Sequence, residues 1–302
     1  PGGGVCSRGR GIPEGMVPMK LRKTGNVILF LMPTVVVVAA FLYLPIVWNF
    51  VNSLFEYEAF SSDKVFVGLK NYATLVNDEV FPIAVRNNLI FMVISVIFQI
   101  GLALIFAAML EHKSIRRYQG FFRTVYFIPS MLMVTVTGIM FQIIYNPIIG
   151  VVNKTLSAVG FNTSSLDLLG NAGSAIYAVV AVSQWQYIGY TVLLFVVAIQ
   201  NVPADLYEAA EIDGANAFRQ FFAITLPQIR EMIIVNLVVT VTGAVKVFDK
   251  VFVMTSGGPG RSTETLATML YRAGFRHNEM GYASAIAFFV VVITTLLAAF
   301  QL

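Results

Sequence analysis

Few residues of this chain have the type or spacing for bond-making chemistry. His112 and His277 are far apart and belong to no H-E-x-x-H pair, and the single cysteine, Cys6, sits near the start. Metal and nucleophile chemistry therefore have no constellation to begin from, and His112 reads as a solvated loop residue. No G-x-x-x-x-G-K-[ST] segment is present to wrap nucleotide phosphates in backbone N–H groups. Any step driven by ATP must draw on another polypeptide.

The polar residues that do invite chemistry lie inside apolar stretches. Ser183, Gln184, Trp185, Gln186, Tyr187 and Tyr190 cluster in one such stretch, and Asn236, Thr240, Thr242 and Gly243 fall at similar depth in another. Polar groups in a bilayer core are costly unless they face a cavity or a neighbouring helix. Aromatic faces beside amides and hydroxyls suit a sugar, whose C–H faces stack while its hydroxyls take partners. Helix–helix bridging, at about 0.6 kcal/mol per residue, accounts for any one of them singly. The cluster as a group favours a cavity.

Lys246, Asp249 and Lys250 follow directly. Each unpaired charge at the centre of a span costs about 2.5–3.5 kcal/mol. One reading puts them near an interface, with Lys246 and Asp249 paired at i,i+3 and the lysines snorkelling. The other makes them an electropositive lining for an acidic or phosphorylated substrate.

Residues 208–227 are patterned as a helix pair. Leu206, Ala209 and Ala210 share helical spacing, and Asp205, Glu208 and Glu211 bring negative charge to the opening turns, where the macrodipole favours it. Gly214 can take φ > 0 and end the first helix. Ala215, Phe218, Phe221 and Phe222 would line one side of a second helix, which Pro227 interrupts. Such a knob suits docking into another protein; an amphipathic loop lying on the bilayer would show the same pattern.

These segments must be positioned by membrane spans. The 302 residues are 57% hydrophobic and 12% charged, about half the charge of a soluble domain, and mean hydropathy is +0.77. A net charge of +4, scattered along the chain, gives no sign of nucleic acid. A helix needs about 20 apolar residues to cross. The charge-free stretches predict spans at 26–55, 87–110, 124–145, 174–199 and 281–302, the first long and bent by Pro33 and Pro45. A span at 232–245 has only 14 charge-free residues and must continue through Lys246, Asp249 and Lys250 to cross. Basic residues gather before span one and between spans two and three, so both termini and the 203–228 loop fall in the cytoplasm. Residues 1–25 read as a disordered or appended tail and cytoplasmic lead-in, and 26–302 as one all-α membrane domain with no internal repeat.

The spacing Glu208-Ala209-Ala210, three residues, Gly214, nine residues, Ile224-Thr225-Leu226-Pro227 resembles the cytoplasmic loop of binding-protein-dependent ABC importer permeases. Phe66-Val67-Gly68-Leu69-Lys70-Asn71-Tyr72, Met254 to Pro259, Ser262 to Leu266 and Gly281 to Ala285 are similar to segments of the carbohydrate-uptake branch. Ser256 stands where that branch commonly has a third glycine.

The resemblance implies a type I importer transmembrane domain of six helices in a prokaryotic plasma membrane. It further implies a second homologous permease subunit, two ATPase subunits that carry ATP and magnesium, an extracytoplasmic binding protein and a sugar substrate. This chain would hold no cofactor or metal. Glu208, Ala209, Ala210, Gly214, Phe218, Leu226 and Pro227 would couple to the ATPase. Resemblance to the larger permease of maltose importers assigns sugar contacts to Tyr126, Ser130, Gln186, Tyr187, Tyr190, Thr240, Ala244 and Val247. Ala244 and Val247 are apolar where that permease has amides, so maltose itself is not implied. Glycerol phosphate or another small polar solute remains an alternative. A membrane enzyme would need acids, histidines or cysteines converging within the spans. A proton- or sodium-driven carrier would use intramembrane carboxylates, and only Asp249 is available.

Overall fold

A computed structural model describes residues 24–61, 63–112, 115–161 and 166–301. Nearly all of the expected tail lies outside the described residues. The chain divides into a unit ending at Trp48 and a second beginning at Asn49.

The first helix runs as α1 (Thr24–Val38), a π-helical turn (Ala39–Tyr43) and α2 (Leu44–Ser53). Proline at 45 lacks an N–H and its ring would meet the carbonyl four residues back, at Phe41; the wider π turn sits there. Apolar side chains such as Phe30 and Phe41 are exposed on it, as lipid-facing residues are. A two-stranded hairpin of β1 (Phe55–Glu56) and β2 (Val65–Phe66) follows, then α3 (Lys70–Asn77).

Span two is continuous from Phe81 to Glu111, as α4 (Phe81–Ser95), a π segment and α5 (Ala103–Glu111). Span three departs from expectation. Helices α6 (Gln119–Met131) and α7 (Val134–Ile144) meet at 96°, so 124–145 is no single rod. Pro129 removes a donor one turn before the break, and the Gln186 amide donates to the Leu132 carbonyl at 2.7 Å. After α8 (Val151–Ala158), α9 (Ala175–Gln200) forms the buried centre, about 39 Å long at 1.5 Å per residue.

Close packing around α9 relies on small residues, as membrane interfaces do. A Cβ on Gly189 would lie 1.7 Å from the Tyr126 carbonyl oxygen, so α6 approaches there only because the side chain is missing. Ala103 and Ala107 of α5 are wholly buried, with Val192, Phe195 and Val196 of α9 in the same cluster.

The loop after α9 contains α10 (Ala204–Ile212), α11 (Ala217–Gln220), a π turn (Phe221–Thr225) and α12 (Leu226–Gln228). The π turn again covers the carbonyl four residues before a proline, Pro227. Helix α13 (Arg230–Val245) meets the preceding helical stretch at 72°. It then stops, and the expected passage through Lys246, Asp249 and Lys250 as one helix does not occur: α14 (Asp249–Thr255) starts after a break. At about 24 Å, α13 alone is short for a 30 Å core. Helices α15 (Leu266–Tyr271) and α16 (Met280–Gln301) end the chain. Among the described residues, four helices are long and apolar enough to cross a bilayer, six if each bent pair is one span.

The break at Val245 exposes carbonyls that lipid could not satisfy. Asn88 of α4 donates to the carbonyls of Ala244 (2.8 Å) and Val245 (3.0 Å), and its Oδ1 accepts from the Leu266 N–H at 3.0 Å. The Thr265 hydroxyl donates to the Val247 carbonyl at 3.0 Å.

Candidate functional site

Around this break lies a cavity of about 770 Å³, within the 300–1,000 Å³ range of small-molecule sites. Its wall takes Ser183, Tyr187, Tyr190 and Thr191 from α9, Asn236, Thr240 and Ala244 from α13, and Ser130 from α6. Val247, Lys246, Asp249 and Lys250 come from the break and the start of α14. Six of the eight expected sugar contacts thus line it: Ser130, Tyr187, Tyr190, Thr240, Ala244 and Val247.

The other two are placed elsewhere. Gln186 is 1% exposed and its amide holds the Leu132 carbonyl of the α6–α7 break. Tyr126 stacks on Phe106 with ring centroids 5.6 Å apart. Successive residues on α9 point to different sides, which is why Gln186 and Tyr187 part company. Trp185 packs edge-on against Phe141 at 5.1 Å, outside the wall.

Span two contributes residues that the sequence reading passed over. Gln99 donates to Gln184 Oε1 at 2.9 Å, and Gln184 donates to Ser95 Oγ at 3.0 Å. Ser95 and Gln99 both line the cavity. Four residues apart, they share one helical face, and that periodicity in an otherwise apolar run was the available signal.

The charged trio departs from the interface picture. Lys246 and Asp249 are exposed on the cavity side of the break and among the described residues form no ion pair within 4.0 Å. Lys250 does not snorkel: it is 2% exposed. Its ammonium donates to Ser183 Oγ at 3.1 Å and lies 4.1 Å from the Tyr187 ring centroid, a cation–π geometry.

Beyond α14, Ser256 takes φ +50 and ends the helix in the left-handed region. A glycine would adopt this without strain; here the Ser256 hydroxyl donates to the Phe252 carbonyl at 3.0 Å. Gly257 is required by proximity as well as φ, since a Cβ would fall 1.9 Å from Glu264 Oε2. Glu264 is buried and receives two hydrogen bonds from Arg272, each 3.1 Å. Burial pushes its carboxyl above the ordinary carboxylate range, and the Arg272 charge and hydrogen bonds pull the other way.

Two further motif segments meet one another. Asn71 donates to the carbonyls of Ser53 (2.8 Å) and Phe55 (3.0 Å), and a Cβ on Gly281 would strike the Phe55 carbonyl oxygen at 1.9 Å. Both are packing devices.

The loop at 203–228 has a different character. Gly214 has φ +75 with open space beside it, and the Asn216 side chain accepts from the Arg219 N–H at 2.9 Å, starting α11. Tyr207 and Thr225 share a hydrogen bond of 2.9 Å, which ties the two helical halves together. The expected single aromatic face is divided. Phe221 and Leu226 pack on the core cluster, whereas Phe218 is 73% exposed and pairs with the exposed Phe222 at 4.7 Å. Glu208, Ala209 and Pro227 are exposed and Ala210 is half-buried. Where α9 enters this loop, Glu111 accepts from Gln200 at 2.8 Å, from Arg123 at 3.2 Å and from Gln119.

The chain is 46% identical over 274 residues to YurN, a probable ABC transporter permease protein of Bacillus subtilis, covering 91% of this chain and 94% of that one. It is 33% identical to the arabinooligosaccharides transport system permease AraP of Halalkalibacterium halodurans, over 80% of this chain and 76% of AraP. The fold matches a crystal structure of a bacterial ABC transporter involved in alginate import with TM-score 0.78, at 23% identity, over 92% and 93% of the two chains. The family model for the inner membrane component of binding-protein-dependent transport systems matches residues 99–302, and the chain belongs to that family as a permease subunit of an ABC importer.

Proposed function

We propose that this permease forms half of the pathway of an ATP-driven sugar importer and couples to a separate ATPase through residues 208–227. The observation that carries the reading is the cavity, where Tyr187 and Tyr190 stand beside hydroxyls and amides, the chemistry a saccharide needs. The relation to an arabinooligosaccharide permease supports a sugar as substrate.

In this mechanism a loaded extracytoplasmic binding protein delivers sugar to the cavity, whose other half belongs to a second homologous permease. Two ATPase subunits hold ATP and magnesium. Their closure on ATP draws the 208–227 loops together and opens the spans outward; hydrolysis returns the site to the inner side. Exposed Phe218 and Phe222 are the apolar contact that each loop would bury in its ATPase. Basic residues ahead of span one and between spans two and three place both termini and this loop in the cytoplasm. Each ligand must favour one global state for such coupling to work.

The test is reconstitution of the assembled importer with its binding protein in liposomes. ATP-dependent accumulation of an oligosaccharide is expected, and Tyr190→Ala should slow it about ten-fold while the complex stays assembled. Concentration of solute by the lone chain without nucleotide would overturn the reading.

A further inference from the structure

Lys250 presents an unusual account of charge. Burying an ammonium costs several kcal/mol unless it is paired, yet among the described residues no carboxylate lies within 4.0 Å of it. One hydroxyl, Ser183, and one aromatic face, Tyr187, are its recorded partners. An ammonium has three donors. All three residues line the cavity, which also receives exposed Lys246. Asp249 lines it too, so the trio carries a formal net charge of +1, and none of its members pairs with another within 4.0 Å.

We infer that this cavity is an anion-bearing saccharide site, in which Lys250 and Lys246 receive a negatively charged substituent while Tyr190 and the neighbouring hydroxyls hold the sugar ring. The inference rests on the sugar-importer reading and narrows it. Asp249 accepts hydroxyl hydrogens and, lying at the same break, disfavours ligands with many negative charges. Lys250 is held by Ser183 and Tyr187 in one position, so its charge is pre-organised for an incoming anion. A lysine that only braced α14 against α9 would need no second, exposed lysine on the same wall.

The charged group could be a carboxylate or a phosphate, and three probes separate these: digalacturonate, glucose 6-phosphate and the neutral disaccharide galactobiose. Binding of each to the assembled importer in nanodiscs, without binding protein, is followed by saturation-transfer NMR and titration. At least one anionic probe should bind about ten-fold more tightly than galactobiose, as hydrogen bonds to charged groups imply, and the better of the two names the substituent. Lys250→Met should reduce that preference to below about two-fold. Lys246→Gln, at an exposed position that cannot disturb packing, should reduce it about three-fold.

Equal binding of anionic and neutral probes, or a preference that survives both substitutions, would overturn the anion inference and leave the sugar reading standing. Failure of all three to bind would sink both.

Discussion

At and behind the cavity wall, several polar side chains are buried and tied to groups distant in sequence, whereas the loop at 203–228 leaves apolar side chains in the open. Asn88 reaches Ala244, Val245 and Leu266, and Lys250 reaches Ser183. In the loop, the hydrogen bonds of Tyr207, Asn216 and Gln220 stay within it. A binding site for a small polar molecule must hold its groups in place before the ligand arrives, so its determinants are spread over several spans. A docking surface needs a stable local shape and an uncovered apolar patch, which one short segment can supply.

If this contrast is right, remote and local substitutions should damage different properties. The largest effect belongs to Asn88→Leu, which strands two carbonyls and one N–H at about 1–3 kcal/mol per group. Thermal unfolding of the purified complex should fall sharply, with cavity ligand binding lost. An unaltered melting curve would mean that the break is not held from span two. Gly214→Val comes next. Nothing crowds the position, so only backbone strain of about 1–3 kcal/mol at φ > 0 is at stake. Co-purification of the ATPase should drop roughly 5- to 150-fold while cavity binding persists; loss of both properties together would dissolve the distinction between the two regions. The smallest is Ser256→Gly, which relieves left-handed strain of about 1 kcal/mol and gives up one hydrogen bond. A slight rise in melting temperature is expected, and a fall would show that the hydroxyl outweighs the strain.

The same contrast explains what could be read from the residues. The loop was legible almost position by position, including the turn at Gly214, because its signals are local: charge in a first turn, a glycine, a proline. One error there was the aromatic face, since the consecutive Phe221 and Phe222 point about 100° apart on a helix, the first onto the core and the second outward. Most spans were legible from hydropathy. Their interruptions were not, because breaks at Leu132 and Val245 are stabilised by Gln186 and Asn88 from other helices, and no pattern within the broken segments records that. Tyr187, Tyr190 and Thr240 were identified as polar groups in an apolar setting, but the same criterion selected Gln186, whose task is to satisfy a backbone carbonyl. Polarity within a span announces that a partner exists without saying whether it is a ligand or a kink. Of the two readings of Lys250, snorkelling failed, because it assumes that a helix continues toward the interface, and here a new helix begins instead.

The grip of Asn88 on three backbone groups has a mechanical corollary. Span two, the foot of α13 and the entrance to α15 cannot shift past one another without giving up three hydrogen bonds at once, so they travel as one slab. Sliding must be taken up along seams of methyl and methylene contact, where no directional bond has to snap. The pore would then widen by moving its other walls around a stationary pillar that carries the lysines.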